Sequence, residues 1–214
     1  MTKNTNKDYL TSQAWQHLCT TESLTDQQQK QFATYLDLLC EWNKKFNITA
    51  ITDPEAIITD HFKDSLHIRH MLPLAEQKGI CDIGSGGGFP ALPLKICYPT
   101  IPFVLIEVNN KKIQFLQAVI DTLGLHNIEL YSLDWRTFLR KTTYELDLFL
   151  ARASLQPEEL IRVLKPTSHY NKATLAYWAS RSWQAQPLES SFIYKQESYT
   201  IGTKQRKMVL FKAH

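Results

Sequence analysis

The chain has 214 residues, enough for one sizeable core or one domain with a small appendage. It is 43% hydrophobic and 21% charged, with 9 Pro and 7 Gly, which excludes a wholly disordered chain, a collagen-like fibre and a charge-rich coiled coil. The net charge of +3 is unevenly placed: residues 1–75 carry seven Lys/Arg against nine Asp/Glu, whereas residues 160–214 carry nine against two. A basic C-terminal part fits a phosphate-rich partner as well as an ordinary solubilising surface.

Residues 1–22 are mostly polar and are expected to be poorly ordered, apart from a short helix around 9–18. Thr25 followed by Gln28 is a capping-box pair, and Phe32, Tyr35, Leu36, Leu39, Trp42 and Phe46 recur at helical spacing behind it. Asp53-Pro54 opens a second helical stretch, with Ile57, Ile58, His61, Phe62 and Leu66 on its inner face. From residue 79 the rhythm changes to strand, loop and helix in alternation. Strands are predicted at 80–83, 103–107, 127–131 and 146–151, and helices from 91 to about 97, at 111–123 and at 157–164. Segments 190–200 and 206–212 read as an antiparallel pair. This order predicts an α/β fold: a doubly wound, mostly parallel Rossmann-like sheet with an N-terminal helical cap (1–75) packed on the second part (76–214).

The four Cys, at 19, 40, 81 and 97, form no CxxC or zinc-like pair, and His61, His67 and His70 lack metal-ligand spacing, so no metal is expected. No apolar run reaches membrane-spanning length and the polar start lacks a signal-peptide core, so a cytoplasmic protein without a membrane partner is expected.

The strongest chemical signal is the loop from Asp82 through Gly84, Ser85, Gly86 and Gly88 to Phe89. Small residues after a first parallel strand let the backbone approach a ligand closely. The dinucleotide fingerprint G-x-G-x-x-G fails at Phe89, which argues against a nicotinamide dehydrogenase. By its resemblance to methyltransferase loops generally, the loop suits a nucleoside with a methionine tail, with Asp82 facing the ammonium. Glu107 ends the next strand, 21 residues after Gly86, where a carboxylate can accept from both ribose hydroxyls. Asp134 and Trp135 follow the third strand, where an adenine edge and face would be met.

Three strings in order carry a family resemblance: Trp42-Asn43-Lys44-Lys45-Phe46-Asn47-Ile48-Thr49-Ala50-Ile51, His61-Phe62-Lys63-Asp64-Ser65-Leu66, and the loop Asp82–Pro90. Lys111-Lys112-Ile113-Gln114-Phe115-Leu116 and Arg152-Ala153 add to them. The chain resembles the RsmG/GidB family of bacterial S-adenosylmethionine-dependent methyltransferases. The resemblance implies transfer of a methyl group to N7 of a guanine in small-subunit (16S) ribosomal RNA. A methyltransferase acting on a small molecule or protein, and a non-catalytic RNA-binding assembly factor, are the alternatives.

It further implies S-adenosyl-L-methionine as cofactor and the small-subunit ribosomal RNA or particle as partner of a monomer. Arg152 then lies between cofactor and RNA, and Asn43 helps position the substrate, with no general base required. Lys44, Lys45 and Lys63 near the helical cap, and Lys204, Arg206 and Lys207 as a C-terminal platform, are the expected RNA contacts. The chain departs from the family pattern at Asp134-Trp135-Arg136, where an R-A-E-like string is usual, and at Thr167-Ser168, where two glycines are usual.

Overall fold

A computed structural model describes residues 7–213. Two helices, α1 (Gln13–Thr21) and α2 (Asp26–Phe46), open the chain, and the Thr25–Gln28 capping box closes reciprocally at the start of α2. The next helical run is unbroken from Pro54 to His70, through α3 (Pro54–Ile57), a π-helical turn (Ile58–Lys63), α4 (Asp64–Leu66) and a 3-10 turn (His67–His70). π turns of this kind are rare and often lie at functional sites.

Seven strands follow: β1 (Ile80–Ile83), β2 (Phe103–Ile106), β3 (Ile128–Tyr131), β4 (Leu148–Arg152), β5 (Thr174–Ala179), β6 (Ile193–Ile201) and β7 (Lys204–Lys212). They form one sheet of order β3-β2-β1-β4-β5-β7-β6, parallel through β5, with β7 antiparallel to both β5 and β6. The central strands β1, β2 and β4 are apolar almost throughout because both of their faces are covered. On one face lie α2, the 54–70 run, α5 (Ala91–Cys97) and α6 (Asn110–Leu123), joined to the sheet in a single apolar cluster. On the other lie α7 (Trp135–Lys141) and α8 (Pro157–Leu160) with its 3-10 extension Ile161–Leu164. A last short helix, α9 (Pro187–Ser190), precedes β6.

The fold class follows the sequence expectation, with differences at the start and at the sheet edge. The short helix expected around 9–18 is present as a 3-10 turn (Asp8–Thr11) and α1, and the ordered stretch runs on to Thr21: these elements bury Tyr9, Trp15 and Leu18, and the Tyr9 hydroxyl donates to Asp37 at 2.8 Å. The expectation of poor order for residues 1–6 lies outside the described residues. The fourth strand runs on to include Arg152; β6 starts later than expected, at Ile193, β7 starts earlier, at Lys204, and only Gly202-Thr203 separates them.

Lys95 shows how the strand entries are fixed. Its side chain is fully buried, and its ammonium donates to the carbonyls of Pro99, Ile101 and Asn127, which precede β2 and β3. Burial pushes its pKa down to about 8. Lys95→Met keeps the apolar stem but strips the Pro99 and Ile101 carbonyls of this donor. A stability loss of about 3 kcal/mol is expected, since hydrogen bonds to a charged group contribute about 1.5–3 kcal/mol each. Urea denaturation of the two proteins checks it.

Candidate functional site: two adjoining cavities

The loop after β1 bends back under the end of β2, where the Gly84 and Ser85 amides both donate to the Ile106 carbonyl. Gly88 has a φ of +90°, and a Cβ there would lie 2.4 Å from Leu92 and 2.6 Å from the Tyr35 hydroxyl. That hydroxyl, carried by α2, donates to the Gly87 carbonyl. Gly86 has a different reason for being glycine. Its φ is +58°, but the nearest atoms to an added Cβ are 3.9 Å away, so conformation rather than crowding selects it. Its amide donates to Glu107 Oε2 at 2.8 Å.

Glu107 is buried just past β2 and also accepts from the amides of Val108 (3.0 Å) and Asn109 (2.9 Å) through Oε1. Oε1 is therefore saturated, and Oε2 keeps one lone pair. The expectation that this carboxylate takes both ribose hydroxyls is corrected to one, because three backbone amides already occupy it.

Loop, Glu107 and the ends of β2 and β4 enclose a cavity of about 490 Å³. Ile83, Ile106, Val108 and Leu155 make its walls largely apolar, while Gly84, Glu107, Asp134, Trp135 and Arg136 also line it. The Ser154 hydroxyl in this wall is buried with no partner. A cavity of this size, with the Glu107 carboxylate and an unpaired hydroxyl set among largely apolar walls, fits a nucleoside-sized ligand.

Of the other expected cofactor residues, Asp134 and Trp135 line this cavity, whereas Asp82, Ser85 and Phe89 do not. Asp82 is fully buried inside β1 and does not line the cavity, so it presents no surface to an ammonium group. Neither of its carboxylate oxygens has a hydrogen-bond partner, and burial pushes its pKa up to about 7. Ser85 is buried, its hydroxyl turned to the Asp82 carbonyl. Phe89 is a packing residue: its ring stacks on His61 at 4.3 Å and on Tyr35 at 5.5 Å. Trp135 does not offer a free face, because it stacks on Phe138, meets Phe149 edge-on and donates its indole N–H to the Glu159 carbonyl. Asp134 is exposed but caps α7, accepting from the Thr137 amide and hydroxyl, and these bonds lower its pKa.

Arg152 does not line the first cavity, and it pairs with neither Glu158 nor Glu159. From the end of β4 it reaches into the 54–70 run, donating to Asp64 Oδ2 (3.1 Å), the Asp60 carbonyl (3.1 Å) and His61 Nδ1 (2.6 Å), with its guanidinium over Phe89. Arginine only donates, so Nδ1 of His61 is the acceptor and Nε2 carries the proton. That N–H then donates to the Thr49 hydroxyl at 2.8 Å. Burial and the adjacent Arg152 charge push the His61 pKa down to about 3, which keeps this arrangement. Asn43 is spent on Thr49, donating to its carbonyl and accepting from its amide, both at 2.9 Å. The positioning role expected of Asn43 is thus open to it as a brace acting through Thr49 and His61.

Arg152 and His61 line a second cavity of about 390 Å³, which meets the first at Ala153. Tyr177, Trp178 and Arg206 form other parts of its wall, and Arg206 Nε is buried without a partner.

The six expected RNA contacts scatter. Lys44 and Lys45 are exposed at the end of α2, Lys45 beside Glu41, and Lys63 meets His17 Nδ1 at 3.0 Å. Lys204 and Arg206 turn to Asp60, whereas Lys207 donates to the Trp183 carbonyl and lies over its ring. The C-terminal platform is not a single patch, because neighbouring residues of a strand point to opposite faces of the sheet.

A family model for rRNA small subunit methyltransferase G (GidB) matches residues 28–209. The chain belongs to the GidB family. A relative from Staphylococcus carnosus, a ribosomal RNA small subunit methyltransferase G, is 42% identical over 106 residues, covering 50% of this chain and 44% of that protein. One of the same description from Geobacillus thermodenitrificans is 37% identical over 160 residues, covering 74% and 67%. The GidB-family chain therefore spans about half to two thirds of the length of these relatives.

Among solved structures, a putative O-methyltransferase from Klebsiella pneumoniae aligns with a TM-score of 0.61 at 12% identity, over 92% of this chain and 96% of that one. A putative methyltransferase, yhhF, from Escherichia coli gives 0.51 at 16% identity, over 71% and 85%. These likenesses show a Rossmann-like methyltransferase fold. Ser154 lines the GidB-family chain's first cavity although no sequence motif pointed to it, and Lys112 and Arg136, quoted in motif strings but given no role, line it too.

Asp82 supplies a pH test. The folded chain holds the carboxyl proton up to about pH 7, while the unfolded chain releases it near 3.8, so stability falls as pH rises through that window. Asp82→Asn cannot ionise and is expected to gain thermal stability over the parent as pH rises from 4 to 8. The gap reaches at most about 4 kcal/mol, at about 1.4 kcal/mol per pH unit. Melting curves across that range check it, and a pH-independent gap would contradict the assignment.

Proposed function

We propose that this protein transfers a methyl group from S-adenosylmethionine to N7 of a guanine in small-subunit ribosomal RNA. Family membership supports the reaction class, and the paired cavities meeting at Ala153 carry the reading. The first cavity holds the donor: Glu107 takes one ribose hydroxyl, Ser154 supplies a polar contact, and the apolar walls take the rest. When bound, the donor supplies an electrophilic methyl on its sulfonium. The second cavity holds the acceptor base.

Guanine N7 already has a lone pair and no proton, so the residues around it need to position rather than deprotonate. Arg152 fixes the wall between the 54–70 run and β4, and His61, held neutral, adds no charge beside the cationic product. Arg206 lines the second cavity, where its guanidinium can donate to the guanine O6 edge. Target bases of this kind lie in loops or are turned out of their stack, because the A-form major groove is too narrow to reach. The protein acts as a cytoplasmic monomer on a small-subunit particle, with residues 1–75 as the helical cap of the transfer domain 76–214. Among the described residues no helix is long and apolar enough to cross a membrane.

The direct test incubates the protein with donor and small-subunit particles and digests the RNA for nucleoside analysis. N7-methylguanosine at one mapped position is expected; methylation of protein alone, or RNA binding with no methylated nucleoside, would contradict the proposal.

Two variants separate the cavities. Glu107→Gln replaces two acceptor oxygens with one and sets an NH2 against backbone amides, so donor affinity in calorimetry should fall about tenfold, the cost of about one charged hydrogen bond. Arg152→Lys keeps the charge but cannot reach Asp64, His61 and the Asp60 carbonyl together. Donor affinity should change less than about twofold while single-turnover transfer falls about a hundredfold, the scale of a small misplacement of reacting groups.

A further inference from the structure

Beside the first cavity, α7 and the helical segment Pro157–Leu164 flank a groove of about 290 Å³. Four cations line it: Arg136, Arg140, Arg162 and Lys165. All four are exposed. Arg136 forks onto Glu159 at 2.8 and 3.0 Å, and Arg162 reaches the same carboxylate at 2.9 Å. One carboxylate thus holds two guanidinium groups on the groove and neutralises one charge of four, leaving a surplus of three. Among the described residues Arg140 meets the Thr137 hydroxyl, at 3.4 Å, and no carboxylate. Arg136 and Glu159 line the first cavity as well, so the groove begins at the rim of the proposed donor site. The two places where the sequence departs from the family pattern, 134–136 and 167–168, meet here: Arg136 stands on one wall and Thr167 and Ser168 on the other.

We propose that this groove is a second RNA-contact surface, which grips phosphates of the substrate strand beyond the target nucleotide. The proposal rests on the transfer reading above for its partner. A concentration of like charge on a narrow groove is self-repelling until an anion enters, and guanidinium forks match phosphate oxygens two at a time. The apolar floor at Leu139 and the hydroxyls of Thr167 and Ser168 suit a sugar–phosphate backbone. The three hollows lie in sequence, with the shared Ala153 between acceptor and donor and the shared Arg136 between donor and groove. A strand that places its target base in the second cavity and its phosphates in the groove passes over the donor's mouth. The C-terminal cations first expected to take phosphate are partly engaged inside the protein, two with Asp60 and one with Trp183.

Arg140→Gln/Lys165→Gln tests the groove without touching the Glu159 forks. Affinity for small-subunit particles is measured at several KCl concentrations, with Arg140→Lys/Lys165→Arg as the charge-preserving control. The neutral double variant should bind about tenfold more weakly at low salt, with a log–log salt slope shallower by about 1.5, since each lost phosphate contact removes about 0.7–0.9. The control should keep both values, and donor affinity and melting temperature should match the parent in both.

Parental affinity and slope in the neutral variant would overturn the proposal. So would weaker binding with an unchanged slope, or a parent that does not bind the particles. Nucleoside analysis of the same particles reads the transfer reaction separately. A parent with groove-dependent binding and no methylated guanosine would overturn the reaction and leave the groove standing.

Discussion

Arg152 leaves the end of a parallel strand and meets three acceptors on one helical run: the Asp64 carboxylate, the Asp60 carbonyl and His61. The rest of the site depends on that junction. Asp64 is 4% exposed and answers the guanidinium charge, while its second oxygen accepts from the Tyr199 hydroxyl and its carbonyl from the Trp178 indole. Three distant parts of the chain therefore close on one residue, two of them on its carboxylate. A buried pair of this kind is costly to break by deleting one partner, because the remaining charge stays out of water. Its contribution here is geometric, since it sets the wall between the two cavities.

The order of elements was legible because each carries a local signal. Strands buried on both faces read as apolar runs, and the glycines at 84, 86 and 88 marked the loop. The site was legible by address more than by role. Glu107 was found from its place at a strand end, but its three backbone amides could not be read, because they belong to the loop conformation. Arg152 was singled out by its place after the fourth strand, but its partners could not be read, since Asp64 and His61 lie 88 and 91 positions away and no periodicity connects them. Trp135 was expected to offer a face to an adenine, yet the opposite face of the sheet needed its ring for packing. The division of Lys204 and Arg206 from Lys207 was available from strand alternation and was hidden only by grouping them as a charge run.

Electrostatics divides the two cavities by role. The first is mainly apolar, with its carboxylate anchored by backbone amides, and it has little reason to attract polyanions. The second is bordered by Arg152 and Arg206, whose charges are offset by Asp64 and Asp60. His61 stays neutral between them because burial and the Arg152 charge both disfavour its protonated form. Charge around the second cavity is thereby balanced, which suits the proposed reaction, whose product ring is cationic and must leave.

The contacts that complete the second cavity join residues very far apart in the chain. Asp64 meets Trp178 and Tyr199 across 114 and 135 positions, and Asp60 meets Lys204 across 144. Closing such loops is entropically slow, and the closing segments belong to β6 and β7, which are made after the rest of the sheet. During synthesis the helical run therefore waits with Asp60 and Asp64 uncovered until β6 and β7 arrive. The glycine loop beside the first cavity is thus in place well before the wall of the second, and the paired cavities exist only once both strands have been added.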